Sequence, residues 1–140
     1  MKLILDYWVE GKDTGSTIEE PSLETIADAI TALDGLNRTM ICLTYSEKCY
    51  LLVAGPCNNG YLVNGTLNNR EFFSPKNTEA EPIQVSCYIG GQDGIYRAEQ
   101  FVPKNIAECA AAYFCKYQDL SPDIDWYSRN GIGPRLERIG

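Results

Sequence analysis

The sequence predicts an α+β fold in which an antiparallel β-meander sheet packs against two helices. Two segments repeat apolar residues at the three- and four-residue steps of amphipathic helices. Between them, runs of β-branched and aromatic residues alternate with polar or Asn-Gly turns, which is typical of hairpins. The chain has 140 residues, 44% of them hydrophobic, enough to close one core without metal or disulfide. We therefore expect a single domain over residues 1–140.

Residues 1–9 predict the first strand. Asp6 interrupts their apolar run and no small-residue cleavage site follows, so we expect a strand rather than a signal peptide. No stretch of about 18 apolar residues occurs, so we expect no membrane-spanning helix and a cytoplasmic location. Residues 11–21 are polar and contain glycine, which predicts a loop.

The first helix is predicted to start after Ser22, a typical N-cap residue. Asp34-Gly35 should end it after about three turns. Its apolar stripe, on one helical face, consists of Leu23, Ile26, Ala27, Ile30 and Leu33.

The middle of the chain predicts the meander. Residues 39–45 and 49–54 form a hairpin around the polar residues 46–48. Asn58-Asn59-Gly60 supplies the positive-φ residues of a tight turn, and Asn64-Gly65 is a second candidate turn or bulge. Residues 68–82 predict a long loop that holds a short strand around Phe72-Phe73.

Residues 83–89 show the clearest alternation, with Ile83, Val85, Cys87 and Ile89 toward the core. A glycine-rich turn, residues 90–94, leads into a strand over 95–102. It precedes a strand rather than a helix, so it is not a phosphate-binding loop. The second helix follows Pro103, with a capping box formed by Asn105 and Glu108. Its predicted stripe is Ile106, Cys109, Ala110, Tyr113, Phe114 and Tyr117.

The six cysteines allow two interpretations. An even number would suit a disulfide framework in a secreted chain, but no signal peptide is predicted. We favour reduced thiols that act as small core hydrophobes, because four cysteines fall inside apolar periodic segments. These four are Cys42, Cys49, Cys87 and Cys109.

Net charge points to a basic partner. The chain carries a formal charge of −7, which disfavours direct binding to nucleic acid or to an anionic membrane. Residues 1–37 hold eight acids and two bases, so the charge is concentrated in the N-terminal part. An acidic surface also keeps a small protein soluble, so charge alone leaves both explanations open.

The composition argues against an enzyme. The chain has no histidine, which removes the usual general base and the commonest metal ligand. The cysteines are 7, 8, 30, 22 and 6 residues apart, and none of these gaps forms a zinc knuckle. Asp123 and Asp125 are the closest carboxylate pair for glycoside hydrolysis, but a solvated acidic turn is the simpler interpretation. We expect no catalytic residue, metal or cofactor.

The second half of the chain resembles a known family. A strand, the glycine turn, a strand ending in Val102-Pro103, a helix with Phe114 near its end, and the segment 122–126 occur in that order. This order resembles the first-named immunity-protein family of bacterial polymorphic toxin systems, over about residues 38–126. Residues 118–121 depart from the family's usual glycine. The resemblance implies scaffold roles for Pro103, Phe114 and Trp126, and a partner toxin with a nucleic-acid deaminase domain.

Together these observations predict an immunity protein that binds and inhibits a basic, nucleic-acid-processing toxin. The toxin-binding positions we predict lie beside the glycine turn and the C-terminal tryptophan: Asp93, Tyr96, Glu99, Asp123, Asp125 and Trp126. The competing interpretation is that Tyr96 and Trp126 pack in the core and the acids are merely solvated. The alternative function is a small-ligand-binding or regulatory α+β domain with an apolar pocket.

Overall fold

The computed structural model describes residues 1–129 and 136–138, and within them it has the predicted α+β architecture. A large antiparallel sheet packs against two helices in this part of the chain. The predicted single domain covers residues 1–140, so its residues 130–135 and 139–140 lie outside the described part.

Four strands precede the first helix: β1 (Lys2–Leu5), β2 (Trp8–Val9), β3 (Lys12–Asp13) and β4 (Ser16–Glu19). β2 and β3 form a small hairpin, and β4 pairs antiparallel with β1. The loop predicted for residues 11–21 is therefore wrong at β3 and β4. Ile18 is the one apolar residue of β4, so this edge strand shows no apolar alternation and depends on pairing with β1.

Helix α1 (Leu23–Ala32) confirms the predicted start and length. The Ser22 hydroxyl accepts a hydrogen bond from the Thr25 backbone N–H at 3.1 Å, as an N-cap does. The helix buries Ile26 and Ile30 against the sheet. Leu23 and Ala27, predicted in the stripe, are exposed, because the face that contacts the sheet is narrower than the apolar pattern.

The predicted meander is confirmed by four consecutive strands: β5 (Met40–Ser46), β6 (Cys49–Cys57), β7 (Gly60–Thr66) and β8 (Phe72–Pro75). Asn58 and Asn59, with φ of 51° and 63°, form the tight turn between β6 and β7. Asn64 and Gly65 lie inside β7 and pair with β6, so they form no turn.

Strands β9 (Gln84–Ile89) and β10 (Gln92–Arg97) form a separate two-stranded ribbon. Cys87 in β9 packs on Ala54 and Leu62 of the main sheet. Ile83 lies before β9 and is 48% exposed, so its predicted core position is wrong. The strand predicted over 95–102 is also interrupted, since a 3₁₀ turn (Ala98–Gln100) redirects the chain to β11 (Phe101–Val102), which pairs with β7.

Helix α2 (Lys104–Tyr117) starts directly after Pro103, and no side chain caps it. The predicted capping box is therefore wrong, because Asn105 already lies inside the first turn. The buried side of α2 uses small residues and one aromatic ring: Ala107, Ala110, Ala111 and Phe114. Tyr117, predicted in the stripe, is 59% exposed.

The chain then returns to the main sheet through β12 (Trp126–Arg129), which pairs with β8, and β13 (Leu136–Arg138). The strand order is β13-β12-β8-β7-β6-β5-β1-β4, with β11 beside β7. Leu3, Leu43 and Leu51 lie in register on the face that the helices cover, while the ribbon covers part of the other face. No helix in the described residues is long and apolar enough to cross a membrane.

Candidate functional site

An open groove lies where the end of β8, the start of α2 and residues 123–125 meet. It encloses about 320 Å³. Its lining combines the apolar Pro103 and Ile106 with four charged side chains, those of Lys76, Glu79, Asp123 and Asp125. We call it the C-terminal groove. It brings two of the predicted toxin-binding residues to one surface.

Hydrogen bonds around Ser121 fix the segment that carries these two aspartates. The Trp126 indole N–H donates to the Ser121 carbonyl at 2.9 Å, and the Asp123 backbone N–H donates to the Ser121 hydroxyl at 3.3 Å. Ile124 is buried in the main core, while Asp123 and Asp125 are exposed on either side of it. Alternation about a buried residue therefore directs both carboxylates outward.

The acids near the groove differ in how far they are neutralised. Glu99 binds Arg97 at 2.5 Å and Lys76 at 3.5 Å, so its charge is balanced. Lys76 also lies 5.7 Å from the centre of the Tyr127 ring. Asp123 and Asp125 have no ion-pair partner among the described residues. Glu79, which also lines the groove, has none there either, so within the described residues the groove presents three uncompensated negative charges beside one engaged lysine.

Four of the six predicted positions belong to this region. Asp123 and Asp125 line the groove, Glu99 reaches it through Lys76, and Trp126 holds the segment in place. Trp126 is half-buried and its N–H is occupied, so its role here is to position its neighbours.

Tyr96 and Asp93 lie apart from the groove. The Tyr96 ring packs edge-on against Phe101, with ring centres 5.7 Å apart, so Tyr96 joins the ribbon to the sheet. Asp93 is exposed near the turn of the ribbon and faces Tyr88 across the two strands. The structure therefore does not gather all six residues into one site.

The outer face of the ribbon carries an apolar residue that the sequence did not single out as exposed. Ile95 is 72% exposed, and Asp93 and Arg97 flank it on the same face. Alternation along a strand assigns these three residues to one side. The alternation of these residues is visible in the sequence, but it does not show which side of the strand faces the core.

A buried carboxylate, Asp6, was missed as a structural centre. It is 6% exposed. Its oxygens accept hydrogen bonds from the Thr39 N–H at 2.8 Å, the Met40 N–H at 3.1 Å and the Trp8 indole at 2.8 Å, and from the Thr39 hydroxyl. The signal was its position: an acid inside an apolar run needs partners if it is buried.

The same network reaches the ribbon. The Gly90 N–H donates to the Thr39 hydroxyl oxygen at 3.0 Å, and the Trp8 ring lies against Gly91 so closely that a Cβ there would come within 2.6 Å of it. The glycine turn thus serves packing, since only a residue without a side chain allows this contact.

A second concave region lies between α1 and the sheet. It encloses about 270 Å³ and is lined by residues of β1, β4, α1 and β5. Its walls are apolar, with Leu5, Ile18 and Ala29 among them. Asp28 and Arg38 also line it. We call it the α1 cleft. Its lining residues could not be predicted from local patterns, because its walls come from four separate segments.

Burial makes two thiols poor nucleophiles. It raises the pKa of Cys42 to about 11, and burial together with the neighbouring Cys57 thiol raises the pKa of Cys87 to about 12. We expect Cys42 to alkylate about 100-fold more slowly in the folded protein than in urea at neutral pH, because the thiolate fraction falls tenfold per pKa unit. Mass spectrometry after timed iodoacetamide treatment measures this ratio.

The same shifts predict how stability depends on pH. Both folded-state pKa values lie above the unfolded value, so the thiols' contribution to stability is complete below about pH 8. It is lost as the pH rises from about 9 through 11 and 12. Equally fast alkylation of Cys42 in the folded and unfolded protein would contradict the raised pKa of its thiol in the folded state.

Neither a search for metal ligands nor comparison with known proteins identifies a further site. In the part of the chain that the structure describes, no group of three metal-ligating side chains comes together. Neither a protein-family model nor a curated protein matches this sequence.

Proposed function

We propose that this protein is a cytoplasmic immunity protein that binds and inhibits a cognate bacterial toxin, a nucleic-acid deaminase domain, without converting any substrate. The observation that carries the proposal is a pair of carboxylates at the C-terminal groove, Asp123 and Asp125, which have no ion-pair partner in the part of the chain that the structure describes. Two exposed anions on a firmly held segment are suited to contact lysines or arginines of a partner.

The physical argument is electrostatic complementarity. A deaminase acting on DNA or RNA must attract a polyanion, so its substrate cleft is basic. A protein with a net charge of −7 is drawn to such a cleft and competes with the nucleic acid for it. The same charge disfavours direct binding of this protein to nucleic acid or to an anionic membrane.

The outer face of the ribbon exposes an apolar residue for contact with a partner. Glu99 joins Lys76 at the groove to Arg97 at the end of the ribbon, so the two surfaces are linked by ion pairs. Ile95 lies two residues from Arg97 on the same face and is largely exposed. Tight interfaces need an apolar anchor as well as charge, and about 800 Å² per partner is sufficient.

The choice of a deaminase toxin comes from the family resemblance. Its three residues occupy structural positions: Pro103 precedes α2, Phe114 is fully buried, and Trp126 holds the Ser121 segment. A scaffold of this kind leaves the partner contacts to surface residues such as the groove acids.

We expect the adjacent gene to encode a toxin with a deaminase domain, and the decisive experiment is co-expression of this protein with that domain. The wild-type protein should rescue growth and co-purify with the toxin at high salt. Asp123→Lys combined with Asp125→Lys should weaken binding at least about 100-fold, because like charges across an interface cost several kcal/mol. Isothermal titration calorimetry measures the dissociation constant.

The matched control reverses two exposed acids elsewhere, Glu47→Lys with Glu71→Lys. It changes the net charge by the same amount and should leave affinity within a few-fold of wild type. Equal losses in both double variants would show that only overall charge matters. If the wild-type protein neither binds nor neutralises the toxin, the proposed function is wrong.

The alternative function, a small-ligand-binding or regulatory domain, is favoured by one observation, the α1 cleft. Its volume of about 270 Å³ lies just below the roughly 300–1,000 Å³ of typical ligand pockets. This function would predict no toxin binding and a ligand-dependent rise in melting temperature.

A further inference from the structure

The α1 cleft combines apolar walls with two opposite charges. Among its lining residues, Ala29 and Ala32 of α1 leave space that a larger side chain would fill, and Leu5 and Ile18 of the sheet face them. Asp6 also lines the cleft, but its carboxylate is already bound by three N–H groups and a hydroxyl. The lining charges available to an occupant are therefore those of Asp28 and Arg38.

The Arg38 guanidinium is held in place without a carboxylate partner. It lies 4.8 Å from the centre of the Tyr7 ring, and its Nη1 donates to the Asp6 carbonyl at 3.4 Å. No described carboxylate lies within ion-pair distance of it. Among the described residues its other four N–H donors have no acceptor, so they are available to an occupant of the cleft.

Asp28 supplies the opposite charge from the helix. It is exposed on α1, and no described residue forms a hydrogen bond or ion pair with its carboxylate. It does not pair with Arg38, so the two charges stand more than an ion-pair distance apart at the same cleft.

We infer that the α1 cleft binds a small zwitterion with an apolar side chain, of the class of free hydrophobic α-amino acids. The carboxylate lies against Arg38, the ammonium group against Asp28, and the side chain between α1 and the sheet. Asp28 would repel a simple anion and Arg38 would repel a simple cation, whereas a zwitterion pairs with both charges. The site lies apart from the C-terminal groove and does not depend on the proposed function.

The test is titration of the purified protein with L-leucine, L-methionine and L-phenylalanine. Calorimetry and thermal-shift measurements detect the binding. We expect saturable binding of at least one of them. Hexanoate, which has only the negative charge, and hexylamine, which has only the positive charge, should each bind at least about tenfold more weakly.

Six variants locate the site. Asp28→Asn and Arg38→Gln should each weaken binding about tenfold, since each removes one charge-assisted contact. Glu24→Gln and Arg70→Gln remove exposed charges that do not line the cleft, and they should bind as wild type does. Ala32→Phe should block the cleft and prevent binding. Thr31→Phe adds the same ring on α1 at a residue outside the lining, so it should leave binding intact.

The inference is overturned if none of the three amino acids binds saturably, or if hexanoate binds as tightly as they do. It is also overturned if Ala32→Phe leaves binding intact. Arg38 contacts the Asp6 backbone, so its variant could lose stability. Asp28 is exposed and makes no such contact, so Asp28→Asn should not lower stability and still tests the site.

Discussion

Replacement of Asp6 by alanine is expected to lower the free energy of unfolding by about 3–5 kcal/mol, which would lower the melting temperature by roughly 10–20 °C. The carboxylate accepts bonds from the Thr39 and Met40 N–H groups at 2.8 and 3.1 Å, and from the Trp8 indole at 2.8 Å. Its removal leaves these buried donors without an acceptor, and that desolvation cost is larger than the gain from forming the bonds.

Urea titration followed by tryptophan fluorescence measures this loss. Asp13→Ala is the matched control, because the Asp13 carboxylate also accepts two backbone N–H bonds, from Tyr7 at 3.0 Å and Gly15 at 2.8 Å, but in an exposed turn. It should cost only about 1 kcal/mol. Equal effects of the two substitutions would show that burial of Asp6 does not matter.

Phe114→Ala is expected to destabilise the protein by about 3–5 kcal/mol. Phe114 is fully buried on α2. It meets the Tyr45 ring edge-on, with ring centres 5.4 Å apart, and the Tyr45 hydroxyl donates to the Cys115 carbonyl at 2.5 Å. Truncation therefore leaves a cavity beside a contact that attaches the helix to β5.

The comparison for Phe114 is Tyr117→Ala on the same helix. Tyr117 is exposed and stacks on Tyr113 with ring centres 4.6 Å apart, so its loss should cost about 1 kcal/mol or less. Phe114→Leu should fall between the two, because a leucine fills part of the cavity. A small effect of Phe114→Ala in chemical denaturation would contradict its place at the centre of the core.

The two surfaces can be tested separately because they lie at different parts of the sheet. The C-terminal groove adjoins β8, whereas the α1 cleft adjoins β1 and β4, and three strands separate β8 from β1. Substitution of Asp123 and Asp125 should therefore not change amino-acid binding. Substitution of Asp28 should not change toxin binding.

Elements with strong local signals were predicted well. The Ser22 cap, the Ile26 and Ile30 stripe of α1, and the Asn58-Asn59 turn each depend on residues close together in sequence. Local hydrogen bonds and turn geometry determine these features, so their sequence patterns predict them.

Elements that depend on pairing were predicted poorly. β4 has one apolar residue and is a strand because β1 supplies its hydrogen bonds. The strand expected over 95–102 breaks at the 3₁₀ turn, since β10 pairs with β9 while β11 pairs with β7. Neither partner strand can be identified from the local sequence.

The candidate site was predicted in part. Asp123 and Asp125 were singled out as acids beside a tryptophan, and both are exposed at a groove. The balancing of Glu99 by Lys76 and Arg97 could not be foreseen, because Lys76 is 23 residues away in a different loop. Because Lys76 is distant in sequence, Glu99 was identified as an acid but its ion pair with Lys76 was not predicted.

By itself the sequence determined the net negative charge, the lack of histidine and the periodic segments that become helices and hairpins, because each is a property of composition or of neighbouring residues. Only the tertiary structure decided which acids are buried, which are paired and which stand alone. Asp6 meets Thr39 across 33 residues, and the groove and cleft are each lined by distant segments. Such contacts follow from packing of the whole chain, which local patterns do not specify.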